Sequence, residues 1–167
     1  MAVILITGGA RSGKSKRAEM RARALPGQPV YVATAEALDA EMEARIARHR
    51  ARRGTDWIER EVPLDLVPAL VATDGGGARL VDCLTLWLSN LMHAERDWER
   101  EASELVTALP RLKSPVVFVT NEVGLGIVPD NALARSFRDA AGFMNQAIAA
   151  VADEVEFVVA GLPMKLK

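Results

Sequence analysis

The chain has 167 residues, of which 50% are hydrophobic, 26% are charged and 5% are aromatic. This length suits one domain, and the composition is typical of a globular protein rather than a disordered or fibrous one. The formal net charge of -1 provides no overall field that would attract nucleic acid or an anionic membrane. We therefore expect a single domain over residues 1–167, in which any basic site is local.

Several features of the sequence favour a cytoplasmic protein. Cys83 is the sole cysteine and lies in an apolar run, so it predicts a small buried thiol rather than a disulfide. The first seven residues are apolar, but they lack a charged leader and are too short for a signal peptide. No apolar stretch reaches the length of a membrane span, so we expect none.

Short apolar runs alternate with longer helix-forming segments along the chain. The runs predict buried strands at 2–6, 30–33, 78–81, 116–119 and 155–160. The segments between them predict helices at 13–25, 37–53, 84–94, 97–109 and 131–151. Glycines 75–77 predict a surface turn, and the prolines at 63, 68, 110 and 115 are expected at element ends or breaks. This alternation predicts a mostly parallel sheet with helices on both faces and functional loops at the carboxyl ends of the strands.

Residues 8–15 read Gly-Gly-Ala-Arg-Ser-Gly-Lys-Ser and match the Walker A pattern in full, between a predicted strand and a predicted helix. Glycines let backbone N–H groups and the positive helix end approach phosphate oxygens. Lys14 would reach the β- and γ-phosphates, and Ser15 would bind Mg²⁺. A chance match is expected on the order of once in a hundred such chains. The segment therefore predicts a P-loop, RecA-like three-layer α/β fold whose nucleotide-binding residues include Gly8, Gly9, Ala10, Arg11, Ser12, Gly13, Lys14 and Ser15.

Asp82 follows the predicted strand at 78–81, at the sheet edge where a Walker B aspartate holds magnesium. The alternative is that Asp82 caps the helix that follows it. Because a P-loop requires an acid at this place and few other acids end a strand, we predict Ser15 and Asp82 as Mg²⁺ ligands.

The helix predicted at 37–53 carries one histidine among arginines. Leu38, Met42, Ile46 and His49 follow one another at helical spacing, so His49 extends the stripe that faces the protein body. Neighbouring positive charges disfavour the protonated imidazole, which would leave it neutral near pH 7 and able to attack an α-phosphate. The arginines predict a positive surface suited to phosphate, at positions 45, 48, 50, 52 and 53.

From the pattern alone, a solvated helix face is an alternative to catalysis at His49. The basic residues lack interleaved aromatics, which argues against a nucleic-acid partner. His93, the other histidine, is expected to interact with the end of its own helix.

Four segments together resemble one family, the bifunctional adenosylcobinamide kinase and adenosylcobinamide-phosphate guanylyltransferase of cobalamin biosynthesis. They are residues 7–15, residues 31–35 with 39–42, Arg-Ile-Ala-Arg-His-Arg at 45–50, and Thr-Asn-Glu-Val-Gly-Leu-Gly-Ile-Val-Pro at 120–129. The likeness continues through residues 81–85, 90–91 and 161–167, so it covers nearly the whole chain. The first segment is shared by many NTPases, whereas the last two together are specific.

The resemblance implies two reactions. Adenosylcobinamide would be phosphorylated on its aminopropanol hydroxyl with ATP or GTP, with Mg²⁺ as cofactor. GMP would then pass from GTP through a covalent intermediate on His49 to give adenosylcobinamide-GDP. Lys14 and His49 would be catalytic. By the same match, the remaining nucleotide site would comprise Thr34, Ala35, Glu36, Arg50, Ala51, Arg52, Arg53, Glu61 and Asp82.

Some expectations stay open at this point. Glu61 also fits a solvent-facing acid in the alternating stretch at 57–62, and relatives often carry a second histidine where this chain has Arg48. Asn121 and Glu122 follow a strand's carboxyl end and could contact substrate or nucleotide, or simply form a turn.

The family forms trimers, so we expect a homotrimer, with Phe143, Met144 and the helix of Trp87 as candidate interface. Two alternative functions are a monofunctional P-loop kinase for another small alcohol and a nucleotide-gated regulatory protein. His49 distinguishes the first of these from the bifunctional enzyme.

Overall fold

The computed structural model describes residues 1–36 and 40–167, except for the side chains at positions 41–43, 45, 49 and 52. Within this part of the chain, seven strands form one sheet: Val3–Thr7 (β1), Val30–Ala33 (β2), Ile58–Glu61 (β3), Arg79–Asp82 (β4), Val116–Val119 (β5), Glu154–Val159 (β6) and Leu162–Lys165 (β7). The described α-helices are Lys14–Arg23 (α1), Ala40–Arg53 (α2), Leu66–Ala72 (α3), Leu84–His93 (α4), Trp98–Ala108 (α5) and Ala132–Val151 (α6).

The strand order is β3-β2-β4-β5-β1-β6-β7, and all neighbouring pairs are parallel except the antiparallel pair of β6 and β7. Both faces of the sheet are covered. Val3 and Leu5 of β1 belong to a core with α3, α4, α5 and α6, whereas Ile4 and Ile6 belong to a second core with α1. This three-layer arrangement explains why every residue of β1 is apolar or buried, and it confirms the predicted fold class.

The five predicted strands and the five predicted helices are confirmed to within a few residues, and residues 37–39 of the helix predicted at 37–53 lie outside the described part of the chain. Among these strands and α-helices, three were not predicted: β3, α3 and β7. Pro68 is the third residue of α3, so it lies in the first turn, near the end of an element as expected, and it does not break the helix. In the first turn of a helix, the N–H that proline lacks has no intrahelical partner.

Helix α1 is fixed to β6 by a buried group of charges. Arg17 Nε donates to Glu156 Oε2 at 2.7 Å, and Arg21 Nη1 donates to Glu156 Oε1 at 2.5 Å. Arg21 also pairs with Glu154 at 2.8 Å. The hydrogen bond from Arg17 lowers the pKa of Glu156 despite the opposing effect of burial, and the charges of both arginines add to it. These contacts fix the direction in which α1 leaves the loop before it.

Replacing Glu156 with glutamine removes a buried charge that two arginines share. We expect the Glu156→Gln variant to lose about 2–3 kcal/mol in free energy of unfolding, since both arginines then keep their charge with a weaker partner. Urea denaturation at pH 7 measures the loss. The matched control is Glu104→Gln, whose pair with Arg100 is exposed and should contribute little. Equal effects of the two substitutions would show that the Glu156 cluster does not hold α1.

The same cluster gives a pH dependence with a defined sign. The folded state lowers the pKa of Glu156, so its stabilisation is fully present above the unfolded pKa, about 4.3, and is lost as pH falls through the folded value. The stability difference between wild type and Glu156→Gln should therefore be largest at neutral pH and narrow below about pH 4. Denaturation curves at several pH values check this. A difference that grows on acidification would contradict it.

One of the candidate interface residues is unsuitable for an interface between copies. Met144 is 1% exposed because it lies in the core. Trp87 is also buried, but other residues of its helix α4 are partly exposed, so that helix stays a candidate. Phe143 is 63% exposed and stays a candidate. In the described part of the chain, no helix has the length and apolar character needed to span a membrane.

Candidate nucleotide site

The predicted phosphate loop connects β1 directly to α1, as the Walker A pattern requires. A Cβ atom on Gly8 would lie 2.5 Å from the carbonyl oxygen of Val158, too close for any side chain. Gly13 has a φ of +98°, which disfavours other residues, and a Cβ there would lie 3.1 Å from Gly161 Cα. Glycine is therefore needed at both ends of the loop, where it packs against the end of β6.

Hydrogen bonds from neighbouring strand ends hold the loop in place. The N–H of Glu122 donates to the Gly8 carbonyl at 3.1 Å, and the N–H of Gly161 donates to the Ser12 carbonyl at 2.8 Å. The Thr7 hydroxyl donates to Glu122 Oε1 at 2.9 Å. Glu122 thus supports the phosphate loop from β5, which gives a physical account of a residue whose role the sequence left open.

The amino end of α1 has the features of an anion site. Gly13 caps the helix without a side-chain hydrogen bond, and the first turn contains no acidic residue. Its first N–H groups therefore carry a partial positive charge, which would stabilise a bound phosphate. Lys14 is 8% exposed, and its Nζ donates to the Gly9 carbonyl at 3.0 Å, which holds the ammonium group over the loop.

A cavity of about 630 Å³ lies at the carboxyl edge of the sheet, beside this loop. It brings together predicted residues from five parts of the chain. Those in its wall are Lys14, Ser15, Ala35, Glu36, Arg50, Arg53, Glu61 and Asp82, with Asn121 beside them. The side chains of His49 and Arg52 lie outside the described part, although both positions are within α2.

Asp82 ends β4 at this cavity and accepts a hydrogen bond from the Tyr31 hydroxyl at 2.5 Å. The strand register explains the pair. Tyr31 lies opposite Leu80, so Asp82, two residues further, is on the same face and within reach of a long side chain. Burial, reinforced by the negative charge of Asp82, raises the pKa of Tyr31, so the phenol stays protonated and remains the donor.

The donors at this edge suit a magnesium ion bound with a nucleotide. Ser15 and Asp82 line the same cavity and offer hydroxyl and carboxylate oxygens, which Mg²⁺ prefers. Among the described residues, no group of three or more His, Cys, Asp or Glu side chains forms a metal site. Ser15 and Asp82 would hold Mg²⁺ together with the phosphates of a bound nucleotide, as in sites where the metal is bound largely through the nucleotide.

The carboxyl end of α2 forms the opposite wall of the cavity. Arg50 and Arg53 both donate to Glu59 of β3 at 2.7 Å, and Arg50 is 3.6 Å from Glu61. Burial favours the neutral acid, but hydrogen bonds from Arg53 and Arg50 outweigh it and lower the pKa of Glu59. The Arg50 side chain is 55% exposed, so it can also meet a ligand.

Arg53 does not belong to an exposed positive surface, so that prediction is wrong for this residue. Its side chain is 3% exposed, and its guanidinium lies 3.4 Å from the centroid of the Tyr31 ring. A planar, weakly hydrated guanidinium stacks well on an aromatic face, and Glu59 balances its charge.

Thr34 lies beneath the cavity rather than in its wall. It is 0% exposed, its hydroxyl donates to the Cys83 carbonyl at 2.8 Å, and the Cys83 N–H donates back to it at 2.7 Å. Thr34 therefore joins the ends of β2 and β4. Cys83 itself is buried, as predicted, and burial raises the pKa of its thiol.

A chain of buried polar groups holds Asn121 at the cavity. The Thr85 hydroxyl accepts from the Asn121 N–H at 2.8 Å and lies 3.2 Å from the Thr120 hydroxyl. Asn145 accepts from Thr120 at 2.8 Å and donates to the Asn121 carbonyl at 3.3 Å. The backbone of Asn121 is therefore fixed from both sides, and the residue lines the cavity.

Comparison with known proteins identifies the family. The family model described as cobinamide kinase / cobinamide phosphate guanyltransferase matches residues 4–166. The chain belongs to this family. It is accordingly an enzyme of the bifunctional kinase and guanylyltransferase type, as the resemblance of its motifs implied.

Curated relatives cover the chain almost completely. The "Bifunctional adenosylcobalamin biosynthesis protein CobP" of Pseudomonas aeruginosa is 50% identical over 169 residues, which span 98% of this chain and 96% of that protein. The "Bifunctional adenosylcobalamin biosynthesis protein CobU" of Salmonella typhimurium is 46% identical over 183 residues, which span 99% of each. The family assignment therefore applies to the whole length.

Solved structures support the fold at much lower identity. The flagellar accessory protein FlaH from Methanocaldococcus jannaschii has a TM-score of 0.59 at 15% identity and covers 99% of this chain and 78% of its own. The P4 protein from bacteriophage phi6, solved with ADP, has a TM-score of 0.54 at 15% identity, and the match covers 97% of this chain and 52% of the P4 chain. These likenesses confirm the P-loop three-layer architecture.

Sequence reasoning assigned no role to Tyr31 and Glu59. Tyr31 is in a segment that carries the family resemblance, and a tyrosine in a buried strand requires a partner for its hydroxyl, which was the available signal. Glu59 stood in the alternating stretch at 57–62, but its arginine partners become evident only once β3 lies beside the end of α2.

The site predicts different effects for two neighbouring lysines. Lys14→Ala removes a charged donor from the phosphate loop and should weaken nucleoside triphosphate binding about 10- to 100-fold. Lys16→Ala removes an exposed lysine one position past Ser15 and should bind like the wild type. Equilibrium titration with a fluorescent GTP analogue measures both. Equal affinities of the two variants would contradict a phosphate role for Lys14.

Proposed function

We propose that the protein phosphorylates the aminopropanol hydroxyl of adenosylcobinamide and then attaches GMP to the resulting phosphate, giving adenosylcobinamide-GDP. One observation carries the proposal: a single cavity contains both the phosphate-loop residues Lys14 and Ser15 and the arginines of the helix that includes His49. A nucleotide bound there has the groups for phosphoryl transfer at one wall and the histidine helix at the other.

In the first reaction, the substrate hydroxyl attacks the γ-phosphate of ATP or GTP and the bond to the β-phosphate breaks. Lys14 and the amino end of α1 would stabilise the charge that develops on the phosphate oxygens. Ser15 and Asp82 would hold Mg²⁺, which supplies charge neutralisation at the β- and γ-phosphates. Because the phosphate loop contacts no base, either nucleotide fits this step.

In the second reaction, a neutral imidazole nitrogen of His49 attacks the α-phosphate of GTP. The bond between the α- and β-phosphates breaks, and pyrophosphate leaves with its charge balanced by arginines such as Arg50. A phosphate oxygen of adenosylcobinamide phosphate then attacks the histidine-bound phosphorus. The phosphorus–nitrogen bond breaks, His49 is restored, and the two phosphates become the diphosphate of the product.

Further residues of the nucleotide site are proposed from the same arrangement. Gly8 to Gly13 would contact phosphate through backbone N–H groups, and Ala35 and Glu36 would lie beside the nucleotide. At the α2 wall, Arg50 and Glu61 line the cavity, while Ala51 is exposed next to them. Arg52, Arg53 and Thr34 complete the proposed set, of which Arg53 and Thr34 act from buried positions.

We also propose that residues 1–167 act as one catalytic domain in a cytoplasmic homotrimer. Exposed apolar residues support association of copies, among them Phe143 and Ile127, which are 63% and 98% exposed. Sedimentation analysis of the purified protein measures the oligomeric state directly.

The nucleophile can be tested against the other histidine of the chain. Incubation with GTP labelled at the α-phosphate should give an acid-labile adduct that His49→Ala abolishes, while phosphoryl transfer to the corrinoid survives. The control is His93→Ala, because His93 is exposed at the end of α4 and its Nδ1 lies 2.7 Å from the Ser89 carbonyl of its own helix. Normal labelling of the His49 variant would exclude His49 as the nucleophile, whereas phosphoryl transfer without any labelling of the wild type would favour a monofunctional kinase.

A further inference from the structure

Tyr31 lies between the two halves of the proposed site. It is 5% exposed, on the second strand from one edge of the sheet, and it makes two distinct polar contacts. Its hydroxyl donates to Asp82 Oδ2 at 2.5 Å. The Arg53 guanidinium stacks on its ring, with the guanidinium carbon 3.4 Å from the ring centroid. One side chain therefore contacts both the acid that ends β4 and the last residue of α2.

The contact with Asp82 restricts the direction of its carboxylate. A hydrogen bond to one oxygen restricts rotation of the group and so favours one orientation of the carboxylate at the cavity. In metal sites, such outer hydrogen bonds orient the ligands, and their removal typically weakens metal binding 10- to 100-fold. Ala33, the residue opposite Asp82 in the strand register, is too small to provide this restraint.

The contact with Arg53 fixes the carboxyl end of α2. Arg53 is the last residue of this helix. Its Nη2 donates to Glu59 Oε1 of β3 at 2.7 Å, and this hydrogen bond keeps the guanidinium over the Tyr31 ring. The Arg53 carbonyl accepts from Arg23 Nη2 at 2.5 Å, and Arg23 is the last residue of α1. Removal of the ring would leave a buried guanidinium without the surface on which it stacks.

We infer that Tyr31 is a positioning residue for both reactions, with its hydroxyl orienting the magnesium ligand Asp82 and its ring orienting the helix that carries His49. This inference rests on the proposed function. The two roles belong to different atoms of one side chain, so substitutions can separate them. Tyr31→Phe removes only the hydroxyl, whereas Tyr31→Leu removes the ring as well.

Metal binding tests the hydroxyl without relying on turnover. Mn²⁺ is titrated by electron paramagnetic resonance into each variant with a bound GTP analogue that resists transfer at both the α- and γ-phosphates. Tyr31→Phe should bind Mn²⁺ about tenfold more weakly than the wild type. The control is Trp57→Phe, since Trp57 packs edge-on against Tyr31 at 6.0 Å between ring centroids and does not contact the hydroxyl. Its Mn²⁺ affinity should match the wild type.

Guanylyl labelling tests the ring. Raising the Mg²⁺ concentration should restore labelling of Tyr31→Phe, because the ring still supports Arg53, but should not restore labelling of Tyr31→Leu. If Tyr31→Leu fails to fold in a thermal unfolding assay, Arg53→Met replaces it, because it removes the stacked cation and retains an aliphatic chain. Arg53→Met should likewise lose labelling at every Mg²⁺ concentration.

Two results would overturn the inference. Wild-type Mn²⁺ affinity in Tyr31→Phe would show that the hydroxyl does not orient Asp82. Full labelling of Tyr31→Leu or Arg53→Met at high Mg²⁺ would show that the ring does not position α2. Failure of the proposed function would look different. The wild type itself would then show no labelling and no corrinoid-stimulated nucleotide consumption, and the Mn²⁺ titration would still test whether the Tyr31 hydroxyl orients Asp82.

Discussion

Parallel pairing of β1, β2, β4 and β5 is the constraint on which the site depends, because it places the carboxyl ends of these strands at one edge of the sheet. The phosphate loop follows β1, and Asp82 ends β4 in register with Ala33 of β2. Asn121 follows β5, between these two positions. No single segment contains the whole set of groups that the two proposed reactions need, and the sheet assembles them. Antiparallel β7 lies at the far end of the order, so it extends the sheet without entering this edge.

Two groups of ion pairs attach helices α1 and α2 to strands of the sheet near this edge. Glu156 holds α1 through two arginines, and Glu59 holds the end of α2 through two others. In both groups, hydrogen bonds from the arginines keep the carboxylate ionised by lowering its pKa against the opposing effect of burial. Two helices that bear the proposed chemistry are thereby fixed to opposite sides of one cavity. The Tyr31 hydroxyl and ring add a connection between the end of β4 and the end of α2, from Asp82 to Arg53.

Local patterns predicted more of the site than long-range ones did. The phosphate loop was predicted fully because eight consecutive residues contain both its glycine geometry and its charge. The strand β3 was missed because its residues, Ile58–Glu61, are mostly charged and none is fully buried, so they form no apolar run. Helix α3 was missed because it is seven residues long and Pro68 suggested a break. The pair of Tyr31 and Asp82 is separated by 51 positions, and only the register of β2 with β4 reveals it. The burial of Arg53 was missed for a similar reason, since a run of arginines predicts a solvated surface until an aromatic ring and an acid from other strands lie beside it.

The central claim is that one nucleotide bound at the cavity serves both the phosphate loop and the histidine helix. A GTP analogue blocked at both transferable phosphates tests it directly, when its inhibition constant is measured separately for phosphoryl transfer to adenosylcobinamide and for guanylylation of the protein. The account predicts the same constant for both reactions, because the analogue excludes GTP from a single site. Two clearly different constants would show that the reactions use separate nucleotide sites and would contradict the claim.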